Sequence, residues 1–194
     1  MRLQLFKTLV LSLFITTLSN AQSYIKYDVS FPNAVHHEAE VKVSFTKIKK
    51  GKFSFRMSRT SPGRYAIHEF AKNVYNVKAT NSKGESLEIT RPNPYQWDVD
   101  NHDGTVIVTY TLFANRGGGT YAQVDETHAH LNIPATFMFA PSLKETPIQI
   151  TFNPRKDWKI ATQLKPMFDT TYYAPDLQYF MDSPTELSLS LIHI

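Results

Sequence analysis

Seven histidines are the first residues in this chain that could do chemistry, and their spacing tests each use. A zinc protease helix needs two imidazoles one turn apart with a glutamate between them to activate water. His36-His37-Glu38 has no histidine four residues after His36, and His68-Glu69 is followed by Lys72 where the second ligand would stand. Neither segment is an HExxH helix. His128 and His130 alternate in a strand pattern, which projects both rings to one face, but no third convergent ligand accompanies them. Asp125-Glu126 would point to opposite faces of a strand and so make a poor carboxylate dyad. No Gly-x-Ser-x-Gly elbow, phosphate-binding glycine loop or dinucleotide fingerprint is present. With no cysteine, disulfides and thiolate metal sites are excluded. The residues in hand therefore predict neither a catalytic set nor a metal site.

Two segments carry more specific chemistry than filler requires. Ser61-Pro62-Gly63-Arg64-Tyr65 joins a fixed proline φ to a permissive glycine, as a sharp turn needs, and sets Arg64 and Tyr65 where the chain re-enters the fold. Asp125-Glu126-Thr127-His128-Ala129-His130-Leu131-Asn132 places polar side chains in what reads as a strand, the mark of a surface that meets something.

The elements that position them are strands. Ile25, Tyr27, Val29 and Phe31 alternate with Lys26, Asp28 and Ser30, and Ala39, Val41, Val43 and Phe45 repeat the pattern. These two predict an antiparallel pair. Further strands are expected at 52–57, 74–79, 86–89, 96–99, 105–114, 120–124, 128–133, 136–139, 148–152 and 158–161, with one helical turn or two over 66–73. Glycine turns separate them at Lys50-Gly51, Lys83-Gly84 and Gly117-Gly118-Gly119, and Asp103-Gly104 is the sharpest hairpin signal. The expected fold class is all-β, an antiparallel β-sandwich of short strands in one domain over 22–186.

Both ends read differently. Arg2 and Lys7 precede an apolar run over Leu9–Leu18, and Ser19 and Ala21 suit a signal peptidase, so 1–21 is expected to be a signal peptide cleaved after Ala21. The expected location is secreted or periplasmic, with no membrane span after cleavage. Cleavage removes two positive charges and halves the excess of 21 Lys+Arg over 17 Asp+Glu, which leaves no electrostatic case for nucleic acid. Residues 189–194 read as the translation of CTG TCT CTT ATA CAC ATC, a transposon mosaic-end adapter, so the natural protein is expected to continue past Ser188.

Inside this all-β frame, a series of segments in order resembles the amino-terminal domain of the glycyl aminopeptidase family, family sixty-one of the metallopeptidases. They are Tyr27 to Asn33, Ser61 to Tyr65 with Phe70 to Val74, Asn93 to Trp97, and Asp125 to Asn132 leading into Phe137 to Phe139. Trp158 to Thr162, Tyr173 to Asp176 and Asp182-Ser183-Pro184 follow. The match departs at Ile133-Pro134, where the family carries small residues. The resemblance implies a larger parent: this β domain, a thermolysin-like zinc domain with HExxH, and a PDZ domain. Zinc and every catalytic residue would belong to the absent catalytic domain, and none is expected here. The β domain would pack on that partner and wall the peptide cleft, with Asp125, Thr127, His128 and Asn132 at the edge and Arg64 and Tyr65 as supports. The competing class is a stand-alone secreted binding module for glycan or peptide, using exposed members of ten Tyr and two Trp to stack on sugars.

Overall fold

Alternation of apolar and polar residues over Ile25–Ser30 buries Ile25, Tyr27 and Val29 on one side of a strand, and the same period recurs down the chain. The computed structural model describes residues 23–190; the expected signal peptide, with its cleavage point, and the 191–194 part of the expected adapter tail lie outside them. In chain order the strands are β1 (Ile25–Ser30), β2 (Glu38–Thr46), β3 (Phe53–Arg56), β4 (Val74–Thr80), β5 (Ser86–Leu87), β6 (Ile89–Asn93), β7 (Gln96–Val99) and β8 (Thr105–Phe113). Then come β9 (Gln123–Val124), β10 (His128–Leu131), helix α1 (Ile133–Thr136), β11 (Ile148–Asn153), β12 (Lys159–Thr162), β13 (Lys165–Phe168), β14 (Thr171–Ala174), helix α2 (Leu177–Met181) and β15 (Thr185–Ser188).

One large sheet has the order β13-β14-β11-β1-β2-β8-β4-β5, and two smaller ones have the orders β12-β15-β10-β9 and β3-β7-β6. The expected β1–β2 pair is antiparallel, with Tyr27 opposite Val43. On its other side β1 runs parallel to β11, Tyr27 opposite Ile150, so the otherwise antiparallel sandwich has one parallel seam. Apolar side chains from the large sheet meet the small sheets and helices in one contiguous core. Phe45 on β2 packs 5.2 Å from Phe53 on β3, and Phe55 stacks on Trp97 at 6.2 Å and 4°. Tyr27, Phe137 and Phe180 form a second aromatic knot, with centroids 5.1–5.5 Å apart.

Several local expectations are corrected. The strand expected over 136–139 is absent: Thr136 ends α1, and of the following residues only Phe139 makes a bridge, to Arg56. Hydroxyls replace the missing ladder there, since Tyr110 donates to the Thr136 carbonyl (2.7 Å) and Tyr27 to that of Met138 (2.8 Å). Helix over 66–73 shrinks to a 3-10 turn at Phe70–Asn73, and the strand over 120–124 shrinks to Gln123–Val124. Asp103-Gly104 makes no hairpin, because β7 and β8 on either side of it lie in different sheets. Asp103 instead accepts from the Ser82 and Thr105 amides (3.2 and 3.1 Å), and Gly104 at φ 99° turns the chain from one sheet to the other. Lys83-Gly84 does close a hairpin, β4 to β5.

Candidate functional site

Asp125, Glu126 and Thr127 are the turn between β9 and β10 rather than strand residues. Asp125 Oδ1 accepts from the Thr127 amide (2.7 Å), the Thr127 hydroxyl (2.7 Å) and the His128 amide (3.0 Å). An aspartate is favoured there because its short carboxylate bonds to backbone two and three residues ahead. Partial burial pushes its pKa up, but those donors and the neighbouring His128 outweigh it and carry the group from 3.8 down to about 2. A carboxylate with a depressed folded pKa contributes stability above its unfolded value and loses it as pH falls toward the folded one. Wild-type stability is therefore expected to drop by roughly 1–2 kcal/mol between about pH 4 and pH 2 relative to Asp125→Asn, as urea titrations at each pH would measure. Parallel curves would refute the turn's role.

His128 Nδ1 lies 3.2 Å from Asp125 Oδ2, and His130 Nδ1 lies 2.9 Å from Glu186 Oε2 on β15. Both rings occupy the same face of β10, as their spacing predicts, but each is engaged by its own carboxylate. Among the described residues no three His, Cys, Asp or Glu side chains are grouped to hold a metal, so the donor set does not fit a zinc ion.

Asn132 stands at the other end of β10, roughly 13 Å along the strand from His128 at 3.3 Å per residue. It is buried, and its Nδ2 donates to Ser61 Oγ (3.2 Å) and to the Thr120 carbonyl. Ser61 in turn accepts the Arg64 amide on its carbonyl (3.1 Å), closing the expected turn around Gly63 at φ 73°. Arg64 and Tyr65 project from it into solvent. The candidate residues thus fall into two groups, Asp125 with Thr127 and His128, and Asn132 with the loop that carries Arg64 and Tyr65.

Sequence reasoning missed the residues beneath that loop. Tyr121 packs edge-on against His68 (5.6 Å) and Phe70 (5.0 Å), and Arg116 lies 4.0 Å over the Tyr121 ring. Arg59 pairs with Glu69 at 2.7 Å and lies 4.8 Å over Tyr95. The glycines at 117–119 signalled a hairpin tip but nothing about Arg116. An open cleft of about 480 Å³ runs alongside, between Ser61 and Pro62 on one wall and Lys144, Asp176 and Met181 on the other. Trp97 and Trp158 are both buried, so no tryptophan is offered to a sugar ring.

These features define an all-β sandwich domain whose polar candidates hold turns and loops in place. The chain belongs to the peptidase M61 N-terminal domain family, whose model matches residues 26–189. That match upholds the resemblance drawn from the sequence segments. No curated protein matches the chain. Among solved structures it is similar to the crystal structure of an aminopeptidase N family protein from Idiomarina loihiensis, with a TM-score of 0.78 and 19% identity. That likeness covers 84% of this chain and 29% of the other, so the chain spans less than a third of that neighbour's length.

Proposed function

We propose that this chain is the non-catalytic amino-terminal domain of a secreted or periplasmic zinc aminopeptidase, where it packs on a thermolysin-like catalytic domain and helps to wall the peptide cleft. The observation that carries the reading is the family match over residues 26–189, a domain-length match within a peptidase family. Zinc and the general base reside in the catalytic domain, followed by a PDZ domain, and the signal pattern over 1–21 supports export. The β9–β10 turn and the loop held by Asn132 supply the cleft edge, because loops on a rigid sandwich can present polar groups without disturbing its core.

Reading the source gene past the codon for Ser188 is expected to reveal HExxH within the same frame. A stop codon after Ile194 would instead favour a stand-alone binding domain. In the full-length enzyme, Asp125→Ala and Asn132→Ala are each expected to lower kcat/KM for a peptide substrate about tenfold, a loss of about 1.4 kcal/mol. Unchanged kcat/KM in both variants, each shown to be folded, would remove these residues from the cleft.

A further inference from the structure

Residues 62–67 and 115–119 are two uninterrupted exposed segments, and the fold fastens them to each other. Asn132 bridges them from behind, bonding Ser61 at the root of the first and Thr120 at the root of the second. Tyr121 completes the fastening, since it carries Arg116 on one face and packs against His68, which follows the first loop directly. At the roots the charges are used internally, Arg59 on Glu69. At the tips they are not: among the described residues neither Arg64 nor Arg116 has a carboxylate partner. Beside them the first loop exposes Tyr65 (106%) and Ile67 (68%), the two most exposed large apolar side chains in the described part of the chain.

We infer that these paired loops are a docking surface for an acidic patch on the catalytic domain of the same polypeptide, with Tyr65 and Ile67 as apolar anchors flanked by Arg64 and Arg116. The inference rests on the functional reading above and deepens it by naming the surface and the partner's charge. An aromatic anchor with nearby arginines is the composition that protein interfaces favour, because both bury large area with few rotors or with a planar set of donors. Two guanidiniums without an internal carboxylate partner select an acidic counterpart and repel a basic one. The structural neighbour's chain likewise extends far beyond the 29% that this domain covers.

The chain has no cysteine, so an introduced thiol is unique within the domain. In the full-length peptidase, Ala66→Cys places a thiol between the anchors while keeping both, and Lys83→Cys marks the exposed β4–β5 hairpin as a control. Maleimide modification, read by peptide mass and normalised to the denatured protein, is expected to be slower at position 66 by about tenfold or more. Adding Arg64→Glu and Arg116→Glu is expected to raise the rate at position 66 toward the control, as an acidic partner is repelled. Equal rates at 66 and 83 in an enzyme that hydrolyses peptides would overturn the docking assignment alone. Equal rates in a protein without peptidase activity would overturn it together with the functional reading. Protection that survives charge reversal would overturn the acidic partner.

Discussion

Replacing Phe180 with alanine is expected to destabilise the domain by about 3–5 kcal/mol, the cost of removing a large aromatic ring from a packed core. Phe180 is fully buried and touches Tyr27 and Phe137 at centroid distances of 5.1 and 5.5 Å. It is also the anchor of α2, which at five residues is far too short to persist by its own backbone bonds. Asp176 caps that helix through the Tyr179 amide (2.8 Å), and Ser183 closes its other end by donating to the Tyr179 carbonyl (2.6 Å). Losing the ring therefore loosens α2 together with the entry to β15, and β15 is the central partner of both β10 and β12. Urea unfolding should show a lowered midpoint with an unchanged slope. Met167→Ala on exposed β13 is the control and should stay within about 0.5 kcal/mol of wild type. If the two variants were equally stable, α2 would not be held by its aromatic contact.

The residues that sequence reasoning placed well are those whose burial alternates. Ile25 to Phe31 and Ala39 to Phe45 have one face in the core and one outside, so period two is written into them. Lys165–Phe168 lacks that signal because all four residues are exposed on an edge strand, so no alternation marks β13. The parallel β1–β11 seam joins residues over a hundred positions apart, which no local pattern encodes. Asp103-Gly104 misled for the opposite reason. Its turn chemistry is real, but a tight turn does not specify whether the flanking strands pair or diverge into separate sheets. The candidate site rests on residue type in the sequence, and its arrangement appears only in the fold. Polar character over Asp125–Asn132 predicts one surface, whereas Asp125 is polar because it organises a turn and Asn132 because it fastens two loops. Arg116 and Tyr121 offered no motif at all, since their stacking exists only once the chain folds back on itself, with Asn115 bridged to Gln123 and the Arg116 amide donating to the Ala122 carbonyl at 3.2 Å.

Tyr110→Phe is the second large effect, about 2–6 kcal/mol from the loss of a single oxygen. The Tyr110 hydroxyl donates to the Thr136 carbonyl (2.7 Å) and accepts from the Met138 amide (3.0 Å), both in the core. Phenylalanine keeps the packing but strands one buried acceptor and one buried donor, each costing about 1–3 kcal/mol. Tyr27→Phe removes one bond, to the Met138 carbonyl at 2.8 Å, and should cost about half as much. Burial raises the pKa of both phenols well above 10, so their protons remain in place for donation through ordinary alkaline conditions. Since both hydroxyls bond Met138, the double variant should cost less or more than the two single losses added together. Strict additivity, or a Tyr110→Phe cost no larger than that of Tyr27→Phe, would mean that residues 136–138 find other partners when the hydroxyls are gone. The consequence reaches the candidate site, because the segment these tyrosines hold begins one helical turn after Asn132, whose carbonyl accepts from the Thr136 hydroxyl at 2.8 Å. Loosening it should free the loops carrying Arg64 and Arg116, and in the full-length enzyme Tyr110→Phe should speed modification of Ala66→Cys under conditions where the domain remains folded.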